Sequence, residues 1–228
     1  MRIVEKAGCE SCQHKCDIFL TSKEMGLEDS LQPRKVAYKK YEQICRQNSI
    51  VTHAIILCEG NAKMYIEGSN GKNILLNILM PSNYIGLLAV FGSPAYSYNV
   101  SALTPCVTCH IGIEMIKKLY YHNHNYLLQL NQAFGSSVAS IMKKLLSLSQ
   151  KQLRGKVAES LIYLSQLYES HVFTLTITRK ELGELSGISE ENAVRVLTEF
   201  KNEGIIGLHG KVIEVLDMEM LQKLSLIG

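Results

Sequence analysis

The sequence predicts an α+β chain in three blocks: an antiparallel β-roll, a long helix, and a C-terminal helical domain closed by a β-hairpin. Three observations carry this. From about residue 30 to 116 the apolar residues alternate or run in short stretches between turn signals, and all four prolines (33, 81, 94 and 105) lie in or beside that block. After it no proline occurs, and apolar residues recur at steps of three and four from about 114 to 152. Beyond 153, cap residues and a glycine delimit two short helices ahead of two apolar strands.

The roll is read from "HAIILCEG", "AKMYIEGSNGK", "NILLNILMPSN", "YIGLLAVFGSP", "SYNVSAL" and "CVTCHIGI". These are strand-length segments, and "SNGK" between two of them signals a hairpin. The next block forms one long helix or two abutting ones. Leu127, Leu130, Phe134, Val138, Ile141, Leu145 and Leu148 form a continuous apolar stripe, the pattern of a helix that pairs with a second copy. The alternative is a helix packed on its own domain.

In the last block "GKVAESLIYLSQLYESH" is amphipathic, and "TLTITRKELGELSGISEENAVRVLTEFKNEG" holds two helices. Thr178 and Glu181 make a T-x-x-E capping box, Gly187 breaks the first helix, and Ser189 caps the second. With the hairpin "IIGLHGKVIEVLD" this is a winged helix-turn-helix. Ala193, Val196, Leu197 and Phe200 share the inward face, while Glu191, Asn192, Arg195 and Glu199 point outward. That outward face suits base readout in double-stranded DNA, with Thr178, Arg179, Lys180, Ser189, Lys201 and Lys211 placed for the backbone.

Composition agrees with a globular protein: 228 residues, 46% apolar, 20% charged, formal charge +3 and pI near 8.4. The mild positive balance permits a polyanionic partner without demanding one. No secretory core or membrane-length apolar run is seen, so a cytoplasmic protein without membrane attachment is expected. There, seven cysteines are not a disulfide framework. Cys45 and Cys58 read as ordinary reduced thiols. No Gly-rich phosphate loop, G-x-S-x-G or H-E-x-x-H motif appears, so no enzyme is expected.

"CESCQHKC" places Cys9, Cys12 and Cys16 close together on an N-terminal arm expected to lack secondary structure of its own. Three thiols suit a metal or cluster but leave a tetrahedral site or a [4Fe–4S] cube one ligand short. Zinc could take four thiolates, or three with His14 or His110. An empty redox dithiol at Cys9 and Cys12, or an electron carrier, would fit the triad as well. "HNHNY" is a weak metal motif.

End to end, the chain resembles the CRP/FNR family of bacterial transcription regulators, most closely a branch common in Bacteroidetes. The resemblance is carried by "LCEGNAKMYIEGSNGK", "MPSNYIGLLAVFG", "SLSQKQLRGKVAESLIYLSQL" and "LTITRKELGELSGISEENAVRVLTEFKNEGII". It implies a cysteine-containing arm (1–20), a cyclic-nucleotide-binding-type sensor roll (21–116), a dimerisation helix (117–152) and a DNA-binding winged helix (153–228). It also implies a homodimer on a palindromic operator and contact with RNA polymerase. In oxygen-sensing members a cysteine triad and one late-roll cysteine bind a [4Fe–4S] cluster, which nominates Cys9, Cys12, Cys16 and Cys109. Here three residues separate Cys12 from Cys16, a shorter gap than in those sensors. Cys106 falls on the opposite face of a regular strand from Cys109. By alignment with the family's E-x-x-x-R readers, Glu191 accepts from cytosine and Arg195 donates to guanine, with Val194 where the oxygen sensors carry serine. Cyclic-nucleotide-binding members carry a glutamate and an arginine after the "IG" turn. Here no charged residue lies between Gly86 and Ala102, so cyclic AMP is not the expected effector.

Overall fold

A computed structural model describes residues 2–4, 9–12, 15–68 and 71–227. His14, and the tip of the "SNGK" turn, lie outside the described residues. Contacts divide the chain into two compact units, residues 1–67 with 77–139 and residues 68–76 with 140–228.

In the first unit, β1 (Arg2–Val4), β2 (Arg34–Tyr38), β4 (His53–Glu59), β7 (Tyr84–Ile85) and β9 (Cys106–Gly112) form a sheet of order β1-β2-β9-β4-β7. β3 (Gln43–Cys45), β5 (Ala62–Glu67), β8 (Asn99–Ala102) and β6 (Asn73–Leu79), of which only the last three residues count with this unit, form a second sheet of order β3-β8-β5-β6. All the pairings are antiparallel where register is defined. The space between the sheets is filled by Val36, Tyr38, Ile55, Leu57, Tyr96, Val100 and Cys106, with Met64 and Tyr98 packed alongside.

The other face of the five-stranded sheet carries a second core, where α1 (Asp17–Glu24) and α2 (Ile113–His122) pack. Strand alternation sorts the residues: Ala54, Ile56, Cys58, Cys109 and Ile111 face this helical core, while Ile55, Leu57 and Cys106 face the roll interior. One expectation is corrected here. The arm is not without structure, because β1 pairs with β2 through Ile3 opposite Val36, and Cys9–Ser11 form a 3-10 turn.

The helical block is two helices, α2 and α3 (His124–Gln150), broken at Asn123. Asn123 is extended, and its side-chain oxygen accepts from the Tyr126 amide at 2.9 Å, capping α3. The apolar stripe divides along α3. In the first unit Leu130 is buried in the helical core, and the Phe134 ring packs against Phe91 in a tilted pair, centroids 5.1 Å apart. In the second unit Ile141 and Leu145 are exposed, together with Met142 and Leu146.

The second unit holds α4 (Leu153–Leu167), β10 (Val172–Thr174), α5 (Arg179–Ser186), α6 (Glu190–Asn202), β11 (Ile206–His209), β12 (Val212–Val215) and α7 (Met218–Ile227). The three strands form a sheet of order β10-β12-β11. Thr178 and Glu181 close both halves of the capping box, and Ser189 accepts from the Asn192 amide at 3.3 Å. Gly187 ends α5 at φ +65°, and a Cβ there would stand 2.2 Å from Leu148 Cδ2. Gly187→Ala is therefore expected to lower stability by about 1–2 kcal/mol from left-handed strain, before any displacement of Leu148. Urea denaturation followed by circular dichroism checks this.

Candidate metal centre and candidate nucleic-acid interface

Cys109 lies opposite Ile56 in the β4–β9 pairing and opposite Lys35 in the β2–β9 pairing. A cavity of about 450 Å³ opens at this point, lined by Cys12, Lys15, Cys16, Asp17, Ile56, Leu57, Cys58, Ser82, Tyr84 and Cys109. Cys9 lies outside the lining but packs on the same core, as does Cys16. The fold thus brings the arm triad to the roll wall that carries Cys109. Cys106 faces the other way, donating its thiol to the Asn61 and Thr104 carbonyls at 3.2 Å. His110 also alternates away from Cys109; its ring stands 6.2 Å from His53 and 2.9 Å from the Thr108 hydroxyl.

Sequence reasoning missed Cys58, Asp17 and Tyr84. Cys58 belongs to the site because it shares a strand face with Ile56, and the β4–β9 register, which sequence alone does not give, sets Ile56 opposite Cys109. Asp17 accepts from the Tyr84 hydroxyl and from the Ile18 amide at 3.0 Å, fixing the start of α1 against β7. Burial raises the Asp17 carboxyl above its usual range.

The donor set fits a soft, thiophilic centre. Burial, followed by the neighbouring thiols, pushes Cys109 up to about 12, and burial pushes Cys58 to about 11. Cys9 and Cys16 are raised for the same leading reason. Lys35 opposes the rise at Cys9 and Cys58, and Lys15 adds a second cation to the wall, so the site can offset the negative charge of a thiolate-bound centre. Among the described residues no three His, Cys, Asp or Glu side chains already stand at metal-binding spacing. The arm thiols must close on the roll thiols before four sulfurs can share one centre.

In the second unit the outer face of α6 presents Glu191, Val194, Arg195 and Thr198, with Asn192 and Glu199 half-buried beside them. Ala193, Val196, Leu197 and Phe200 are buried as expected. The Arg195 guanidinium is held along the helix by Asn192 Oδ1 at 3.3 Å and Glu199 Oε1 at 3.5 Å, with its side chain 58% exposed. Its own amide and the Ser189 hydroxyl hold the Glu191 carboxyl below the usual range. Both proposed readers are therefore charged and oriented on one helical face.

Glu199 also pairs with Arg154 of α4 at 3.5 Å, and Arg154 makes a bidentate contact with Glu203 at 2.6 Å while covering the Phe200 ring. This anchors α6 to its scaffold and was not foreseen. Thr178, Lys180, Ser189, Lys201 and Lys211 are exposed. Arg179 is half-buried and donates to the Gly210 carbonyl at 2.7 Å, tying α5 to the turn of the wing. At the other end of α5, Lys144 of α3 donates to the Leu185 carbonyl, and burial lowers this ammonium to about 8.

A β-roll joined in one chain to a winged helix-turn-helix defines a two-part DNA-binding regulator. Residues 35–123 match the cyclic nucleotide-binding domain family, and residues 155–224 match the Crp-like helix-turn-helix domain family. The chain belongs to the CRP/FNR family of transcription regulators. It is 24% identical to the transcriptional activator protein anr of Pseudomonas aeruginosa over 95% of this chain and 92% of that one. It is 23% identical to the anaerobic regulatory protein of Aggregatibacter actinomycetemcomitans over 98% of this chain and 91% of that one. Among solved structures, FixK2 of Bradyrhizobium japonicum shares the fold with a TM-score of 0.78 at 18% identity, covering 84% of this chain and 96% of that one. A CooA mutant of Carboxydothermus hydrogenoformans covers 98% of both chains at 14% identity, with a TM-score of 0.74. None of the helices, among the described residues, is long and apolar enough to cross a membrane.

Proposed function

We propose that this chain is a homodimeric regulator that reads a palindromic operator through α6 and is controlled by a thiolate-ligated [4Fe–4S] centre rather than by cyclic AMP. The observation that carries it is the convergence of Cys12 and Cys16 from the arm with Cys109 from β9 on one cavity wall. Cys9, Cys12, Cys16 and Cys109 would hold the centre, with Lys15 and Lys35 offsetting its charge. Such a cluster supplies sensitivity to oxidants, which the printed name of the anaerobic regulatory relative favours.

Against cyclic AMP stands the lack of any charged residue between Gly86 and Ala102. The Gly86 amide donates to the Tyr98 hydroxyl at 3.0 Å, and Tyr96 and Tyr98 pack with the roll interior. A phosphate placed there would meet no cation. The exposed apolar residues of α3 supply a face for the second copy, and the family's contact with RNA polymerase follows for a regulator of this build. In this scheme residues 21–116 sense, 117–152 dimerise and 153–228 bind DNA.

The test is anaerobic purification with iron and sulfide analysis, followed by operator binding before and after exposure to air. Protein that binds zinc alone, or whose operator binding ignores air, overturns the cluster reading. Within the DNA interface, Arg195→Ala is expected to relax preference at one base pair per half-site by roughly 1–3 kcal/mol. Selection of half-sites from a random pool measures it; uniform weakening across all sequences would instead make Arg195 a phosphate contact.

A further inference from the structure

Five of the seven cysteines gather on the helical face of the five-stranded sheet, one more than the proposed centre uses. The supernumerary thiol is Cys58. The β4–β9 register shifts between Leu57, opposite Thr108, and Glu59, opposite Val107, which leaves Cys58 as the extra residue of a bulge, two residues after Ile56, the partner of Cys109. Its side chain lines the cavity together with Cys12, Cys16 and Cys109, whereas Cys9 does not. Its one hydrogen bond among the described residues is a weak contact from its sulfur to the Ile56 carbonyl at 3.8 Å.

The other buried thiols differ. Cys45 packs in the roll interior, on the opposite side of the five-stranded sheet from the cavity, and Cys106, also on that side, is engaged with two carbonyls. A buried cysteine is ordinarily a small apolar side chain. Cys58 instead shares a cavity wall with three other sulfurs, and Cys12 and Cys16 are among the groups that perturb it.

We propose that Cys58 is a fifth ligand-competent sulfur of this site, completing with Cys12, Cys16 and Cys109 a second four-thiolate set that holds the same centre when Cys9 does not. This rests on the reading of the cavity as a thiolate-ligated centre. Two of its sulfurs then come from neighbouring strands of the roll, one from Cys12 just after the 3-10 turn and one from Cys16 at the N-cap of α1, so this set needs no sulfur from the turn itself. Ligand exchange between Cys9 and Cys58 would let the arm before Cys12 detach while the centre stays in place.

The full-length protein, its Cys9→Ser and Cys58→Ser variants, the double variant and Cys12→Ser would be reconstituted anaerobically with ferrous iron and sulfide. Iron per chain and the visible charge-transfer spectrum are read, with cobalt(II) uptake as a parallel probe of thiolate number. Cys9→Ser is expected to keep more than half of the iron with an altered spectrum, and Cys58→Ser to keep it with the wild-type spectrum. The double variant is expected to lose iron about tenfold or more, since losing even an outer-shell partner of a ligand costs about 10–100-fold in metal affinity. Cys58→Val in place of serine, checked by thermal melting, separates a lost sulfur from a damaged core. Iron loss in Cys9→Ser as complete as in Cys12→Ser overturns the proposal, as does a double variant that holds as much iron as Cys9→Ser alone. Wild-type protein that takes up neither iron nor cobalt overturns the centre itself, and the proposal with it.

Discussion

Ile141→Glu is expected to turn the proposed dimer into a monomer and to abolish tight operator binding. Ile141, Met142, Leu145 and Leu146 are 38%, 65%, 61% and 55% exposed within little more than a turn of α3, a concentration of apolar surface that water disfavours. Against a second copy these side chains would be buried, each contributing on the order of 1.5–3 kcal/mol relative to exposure. A carboxylate at the centre of that face has no cation assigned to it and must be desolvated, at a cost of about 3–5 kcal/mol. A loss of about 3 kcal/mol already raises the dimer dissociation constant roughly a hundredfold. Sedimentation velocity at micromolar concentration reads the monomer directly, and operator affinity should fall with it, because two half-sites are held by one dimer. A mutant that stays dimeric would show that another surface pairs the copies.

Cys109→Ser is expected to lose nearly all iron and every air-sensitive component of operator binding, while Cys106→Ser keeps both. The two sit three residues apart on β9 yet on opposite faces. Cys109 belongs to both proposed sulfur sets, so neither set is complete without it. Serine preserves the volume but offers a far poorer ligand for iron than a thiolate. Iron analysis and gel-shift titration under nitrogen decide it. Iron retained in Cys109→Ser, or lost equally in Cys106→Ser, would place the centre elsewhere.

The parts of this molecule that local chemistry dictates were legible in the sequence. The capping box at Thr178, the αL glycine at 187 and the inward set Ala193, Val196, Leu197 and Phe200 each depend on residues within one or two turns, and each is found as read. The triad spacing was legible for the same reason, whereas Cys109, about a hundred residues away, was nominated by resemblance to the family alone. What escaped depends on pairing between distant segments. Strand β1 is three residues long, too short for periodicity to mark, and exists because β2 offers it an edge. Cys58 enters the site because the β4–β9 register sets its strand face beside Cys109, and that register cannot be read from one strand alone. The stripe on α3 looked continuous, yet Leu130 is consumed by the helical core, since spacing does not say which body covers an apolar face. Asn123 was the missed local signal, an N-cap that divides the helical block.

Asn123 also stands at the far end of α1 from the thiols. Cys16 is the N-cap residue of that helix, and eight residues later Glu24 accepts from Asn123 Nδ2 at 3.4 Å. The same Asn123 caps the first turn of α3. Helix α1 is therefore a lever about 12 Å long, with a sulfur at one end and the cap of the next long helix at the other. Its opening and that of the first turn of α3 should form one cooperative unit in native-state hydrogen exchange. Freeing Cys16 would then register as faster deuterium uptake at the Tyr126 amide, so that an amide proton two helices along the chain reports whether the arm is tethered.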